Sequence, residues 1–80
     1  MQKLIDCFAE TFAIERNQVA LDLAYQSIPQ WDSVGHMALV AEIENTFNVT
    51  LDTDEIIGMS DVSKAVDILR KHGVALDAVT

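Results

Sequence analysis

Trp31-Asp32-Ser33-Val34-Gly35-His36-Met37, running on through Ala38-Leu39-Val40-Ala41-Glu42-Ile43-Glu44-Asn45-Thr46-Phe47, is the stretch on which the fold turns. An irregular segment ending in Pro29 precedes it, and the most apolar helical pattern of the chain follows. This places a helix from about Ser33 to Phe47, with Asn48 near its end. Asp32 or Ser33 can cap the free backbone N–H groups of the first turn. The positive end of the helix dipole favours a negative group attached or bound at that point, and a phosphodiester on an exposed Ser33 hydroxyl suits this field. An Asp-Ser pair ahead of an apolar run is equally the form of an ordinary N-cap. On these physical grounds alone, the cap is the sufficient reading.

The same helix is apolar on two sides. At about 100° per residue, Leu39, Val40, Ile43 and Phe47 cluster on one face, and Val34, Met37, Ala38 and Ala41 cluster roughly opposite. A bundle can bury only one of these faces fully. The set containing Phe47 takes the core, which leaves Val34, Met37 and Ala41 as a partly exposed strip beside Ser33, flanked by Glu42 and Glu44. By helical phase His36 lies toward Leu39 and Ile43, where an imidazole packs and hydrogen-bonds rather than reacts.

Outward from this helix, Leu4, Ile5, Phe8 and Phe12 recur at helical spacing and predict an amphipathic helix from about Gln2 to Ala13. Between the two lies a long connection. In it Val19, Leu21 and Leu23 alternate, and Tyr25, Ile28 and Trp31 add apolar weight. Alternation is a strand signal, but a lone strand has no partner, so the segment is read as an ordered loop pinned by its apolar side chains, with room for a short helical turn. Pro29 keeps Ile28 out of helical geometry.

Downstream, Asp52 with Glu55 resembles a capping box and opens a short third helix through Ile56 and Ile57, stopped near Gly58. Ser60 or Asp61 caps a fourth helix, in which Val62, Ala65, Val66 and Leu69 form an inward stripe. Arg70, Lys71 and His72 suit its negative end, and Gly73 suits the C′ stop. The expected fold is therefore all-α, a small antiparallel four-helix bundle with a long loop between helices 1 and 2 and a short third helix. It forms one domain over 1–80, with 74–80 as a loose tail. The core is expected from Leu4, Phe8 and Phe12, from Leu39, Ile43 and Phe47, and from Val62, Val66 and Leu69.

Composition narrows the function. With 13 acidic and 5 basic side chains the 80-residue chain carries a net charge of −8, which argues against nucleic-acid binding, because phosphate contacts need Lys and Arg clusters. A basic partner suits it better, although an acidic surface can also serve solubility alone. Half the residues are hydrophobic, enough for a core. Cys7 is the single cysteine. It can form no internal disulfide and no zinc pattern, a reducing cytoplasm is its simplest setting, and no chemistry is assigned to it. The sequence predicts neither a signal peptide nor stable membrane insertion.

Asp32-Ser33-Val34, with Glu42-Ile43-Glu44 and Phe47 following, resembles the Asp-Ser-Leu signature of acyl and peptidyl carrier proteins. The resemblance extends from the first apolar helix to the last and includes length, acidity and helix order. Val34 stands where the family usually has Leu, and Trp31 where many members have Gly. The form Trp-Asp-Ser-x-Gly-His-Met resembles free-standing carriers of specialised pathways more than the housekeeping carrier of fatty acid synthesis. The resemblance implies 4′-phosphopantetheine, donated by coenzyme A and attached to Ser33, with Asp32 helping a phosphopantetheinyl transferase place its metal and coenzyme A. It implies a thioester-bound acyl or aminoacyl cargo, handled by separate loading and transferring enzymes with basic docking surfaces. Consistent with how carriers use their second helix, Val34, Met37, Ala41, Glu42 and Glu44 would form the docking strip, and the chain would act as a monomer that catalyses nothing itself.

Two other classes stand beside this reading. A serine hydrolase would pair Ser33 with His36 and Asp32, but the nucleophile elbow wants Gly two before and two after the serine; Gly35 is present, Trp31 occupies the other place and no strand precedes it. An unmodified acidic helical adaptor explains the charge and the helices but gives no reason for an exposed serine at that point. A calcium loop from Asp52 is weak, since Ile57 sits where glycine is needed and Ile56 offers no side-chain oxygen.

Overall fold

The computed structural model describes residues 1–76, which form four α-helices: α1 (Gln2–Phe12), α2 (Ser33–Phe47), α3 (Thr53–Gly58) and α4 (Val62–Lys71), with a 3-10 turn at Arg16–Gln18. Each later helix starts on an aspartate. The Oδ1 atoms of Asp32, Asp52 and Asp61 accept the backbone N–H groups of Gly35, Glu55 and Lys64, each at 2.8 Å. Glu55 returns the favour at α3 by accepting the Asp52 N–H at 3.1 Å, which makes the predicted capping box real. Left-handed residues end α1 at Ala13 and α2 at Asn48, with φ near 55° at both, and Gly73 takes φ 81° after α4, the conformation glycine adopts without strain.

One apolar core joins the elements. Leu4, Cys7, Phe8 and Phe12 come from α1, Leu39, Val40 and Ile43 from α2, and Val62, Ala65, Val66, Ile68 and Leu69 from α4. α1 packs along α2. No residue of α3 is buried, so this short helix lies on the body rather than within it. Connecting segments supply Trp31, Leu51 and Met59. Trp31 is fully buried and is the largest such side chain, set edge-on to Phe8 at 5.4 Å and tilted on Phe12 at 5.3 Å between ring centroids.

Phe47 corrects the expected core: it is only partly buried and packs at the margin. It stands on the last turn of α2, where the left-handed Asn48 turns the chain away, and Trp31 fills the aromatic centre instead.

The connection 13–32 is ordered by the chain it crosses. Arg16 pairs with Asp6 and donates to Gln2, both on α1. Further along, the alternating segment finds a partner that its sequence does not reveal, through a single bridge between Ala24 and Asp61. Tyr25 N–H donates to Ser60 O at 2.9 Å, Val62 N–H to Leu23 O at 3.0 Å, and Ser63 N–H to Leu21 O at 3.1 Å. The first turn of α4 is thereby sewn to the loop. Val74 and Leu76 pack against the core, and the rest of the expected tail, 77–80, lies outside the described residues.

Phe8→Ala is expected to cost about 3 to 5 kcal/mol, the range for emptying a buried aromatic site, and Phe47→Ala distinctly less, because part of its ring is already in water. Urea unfolding of both variants checks this; an equal loss for the two would mean that Phe47 carries the core after all.

Candidate functional site

Ser33 is the first residue of α2, exposed, with its hydroxyl 3.0 Å from the Tyr25 hydroxyl. Asp32 is exposed too and caps the helix. Gly35 is what lets α2 begin here, since a Cβ at that position would overlap the Gln30 carbonyl oxygen and crowd the ring of Phe12 at 3.3 Å. The turn that delivers Ser33 is closed by Trp31 N–H donating to Ile28 O at 3.1 Å and Gln26 N–H to Trp31 O at 2.8 Å. Pro29 inside that turn presets its φ.

His36 is spoken for on both sides of its ring. Nδ1 accepts the Trp31 indole N–H at 2.9 Å, and Nε2 lies 2.8 Å from the Ile56 carbonyl oxygen. Since the indole can only donate and the carbonyl only accept, the proton of the neutral ring sits on Nε2. Neither nitrogen is left for the Ser33 hydroxyl, and the Asp32 oxygen serves the cap, so the Ser33–His36–Asp32 trio is not assembled as a hydrolytic relay. His36 packs and hydrogen-bonds, as its helical phase predicts.

Ser33 opens on a cleft of about 360 Å³ whose lining includes Tyr25, His36, Met37, Ile56, Ile57 and Met59. On the outer side Val34 is 79% exposed, Met37 54% and Ile57 74%, and Ala41 is exposed as well. Neither Tyr25 nor Ile57 is among the site residues that the sequence predicts, which marks them only as apolar residues of the loop and of the third helix. Ile57 was within reach of it, because adjacent isoleucines on so short a helix as α3 stand about 100° apart and cannot both face inward.

The acids of α2 are not alike. Glu42 is half-buried and lies within 3.5 Å of the Thr46 hydroxyl, whereas Glu44 accepts the Leu51 N–H at 2.8 Å and so ties down the chain leaving the helix. Cys7 is buried, and burial pushes its thiol up; a hydrogen bond with Thr46 opposes this, and the Glu42 and Glu10 carboxylates add to it. The thiol is inert by location. Among the described residues no group of three or more His, Cys, Asp or Glu could hold a metal ion, and no helix is long and apolar enough to cross a membrane.

With this geometry in view, comparison with known proteins gives the family. No family model matches the chain. It is 30% identical over 70 residues to the acyl carrier protein of Lactobacillus johnsonii, a match covering 88% of each chain. The chain belongs to the acyl carrier protein family.

α3 forms one wall of the cleft, and Glu55 moors it to the end of α4. Its carboxylate oxygens lie 2.9 and 3.0 Å from His72 Nε2, with Lys71 Nζ at 3.9 Å. The His72 hydrogen bond, then the Asp52 N–H, hold this carboxyl below the ordinary glutamate range; burial opposes them, and the charges of His72 and Lys71 assist. A depressed carboxylate contributes stability that is present above its unfolded pKa, about 4.3, and lost as pH falls through the lower folded value. The stability gap between the wild type and Glu55→Gln, followed by urea unfolding from about pH 5 downward, is therefore expected to close below about pH 4.3. A gap that stays constant through that window would contradict the mooring.

Proposed function

We propose that the chain is a carrier bearing 4′-phosphopantetheine on Ser33, donated by coenzyme A through a phosphopantetheinyl transferase, and that it presents an acyl or aminoacyl cargo to separate enzymes. The observation that carries this reading is an exposed serine hydroxyl at the start of α2, capped by its neighbouring aspartate and served by no base, on a chain of the acyl carrier protein family. The N-terminus of α2 favours the negative charge of a phosphodiester at that oxygen. When attached, the arm supplies a terminal thiol for thioester linkage of the cargo. The chain itself holds the attachment point out from a rigid turn and catalyses nothing. A short flexible tether gives an effective concentration on the order of millimolar at a docked enzyme, so carrier and enzyme need bind only weakly.

Asp32 can cap α2 and still meet the transferase's metal from its exposed position. Val34, Met37 and Ala41 offer an apolar strip beside Ser33, in which methionine adapts to more than one partner. Glu42 and Glu44 add charge that steers a basic surface toward it. In this reading the molecule is one carrier domain, an antiparallel bundle acting as a cytoplasmic monomer in a specialised pathway.

Incubation with coenzyme A and a broad phosphopantetheinyl transferase should add the mass of one phosphopantetheine to the wild type and none to Ser33→Ala, whose helix keeps its Asp32 cap and hence its fold. Modification on Ser27, Ser60 or Ser63, or retained in Ser33→Ala, would overturn the assignment.

Met37→Glu and Glu42→Lys are each expected to slow modification by the cognate transferase, Met37→Glu while melting as the wild type does, and the Glu42→Lys effect should shrink in high salt, where steering charges are screened. Glu44→Lys is a poorer reporter because it also frees the Leu51 N–H. Wild-type rates for both variants at every salt concentration would remove α2 as the docking face.

A further inference from the structure

α3 is held at two points. Near its start Glu55 engages His72, and one residue further on the Ile56 carbonyl engages Nε2 of His36 at 2.8 Å. His36 is itself immobilised, because its Nδ1 accepts the Trp31 indole N–H at 2.9 Å, with the two rings side by side and nearly coplanar, planes 15° apart. Tyr25 packs edge-on to the imidazole, at 5.6 Å between centroids. A relay therefore runs from the fully buried Trp31 through His36 to the backbone of α3. His36 and Ile56 belong to the lining of the cleft onto which Ser33 opens. A chain passing between α2 and α3 at this point would part His36 from Ile56, leaving a partly buried N–H and carbonyl unpaired, and such groups are costly to strand.

We propose that the Trp31–His36–Ile56 relay is a latch that closes the cleft beside Ser33 to long chains, so that this carrier takes a short acyl or aminoacyl cargo that rests in the cleft and does not thread into the core. The proposal rests on the carrier reading of Ser33. The cleft, at about 360 Å³, is near the small end of ligand pockets, which run from roughly 300 to 1,000 Å³. The bonds from Ile56 to His36 and from Glu55 to His72 both hold α3 against widening of the cleft. His36 is a positioning residue here: it touches no reacting atom and sets the size of what lies beside Ser33.

The test bypasses the transferase. Ser33→Cys in a Cys7→Ala background is alkylated with N-alkylmaleimides from ethyl to decyl, and the indole N–H resonance of Trp31, the single tryptophan, is followed with the melting temperature. With His36 in place, both are expected to be the same for every chain length. In His36→Phe, which keeps a ring and loses both hydrogen bonds, the resonance should move and the melting temperature rise as the chain lengthens. A merely structural His36 would lower stability by one fixed amount across the series. If His36→Phe does not fold, the series with His36 present decides alone, and His36→Gln, which retains a donor toward Ile56, should behave like it. A decyl adduct that shifts the indole resonance while His36 is present overturns the latch. Failure of the transferase to modify Ser33 overturns the carrier reading instead, so the two failures are distinct.

Discussion

Burying the Trp31 indole requires a partner for its N–H, and the rest of the structure follows from how that requirement is met. The side chain contributes about 4 to 6 kcal/mol by apolar burial before the entropy of ordering the loop is charged against it, taking 150–250 Å² at 25 cal/mol per Å². An unpaired indole N–H would forfeit about 1–3 kcal/mol of that gain. His36 accepts the bond, which fixes its tautomer and turns its other nitrogen toward Ile56. One hydrogen-bonded pair thus anchors the end of a long connection, orients the first turn of α2 and secures α3.

Ser33 lies two residues after this anchor. Its exposure is a consequence of Trp31 pointing inward while the Asp32 cap starts the helix, and Gly35 removes the one Cβ that would push α2 off the turn before it. The site is therefore rigid in backbone and open in side chain. Under the proposed carrier function, this combination would suit a point of attachment, with a tether free to sweep from a fixed root.

The helices were legible because their signals are local. The α3 capping box, the bounds of α2 and the glycine after α4 stand in the structure where the sequence puts them, and the caps that it leaves open between neighbours fall to Asp32 and Asp61. The strip formed by Val34, Met37 and Ala41 is exposed as periodicity demands. Less was legible where burial depends on the path of a loop. Trp31 lies outside any periodic run, so nothing local marks it as the centre of the core, and Phe47 looked like that centre only because it shares a phase with Ile43. The bridge from Ala24 to Asp61 and the bond from Glu44 to Leu51 join segments whose proximity only the assembled fold creates. His36 was legible in phase and not in partner.

Hydrogen exchange at the Trp31 indole N–H tests most directly whether this anchor holds the structure together. Local openings of loops cost little, whereas core groups exchange only when the whole domain unfolds. The account predicts that the indole proton exchanges with the slowest backbone amides of α1 and α2, and that its rate tracks global stability as urea is added. An indole proton that exchanges at the rate of the amides of 13–30, insensitive to urea, would mean that Trp31 leaves the core without unfolding the domain, and would contradict the account.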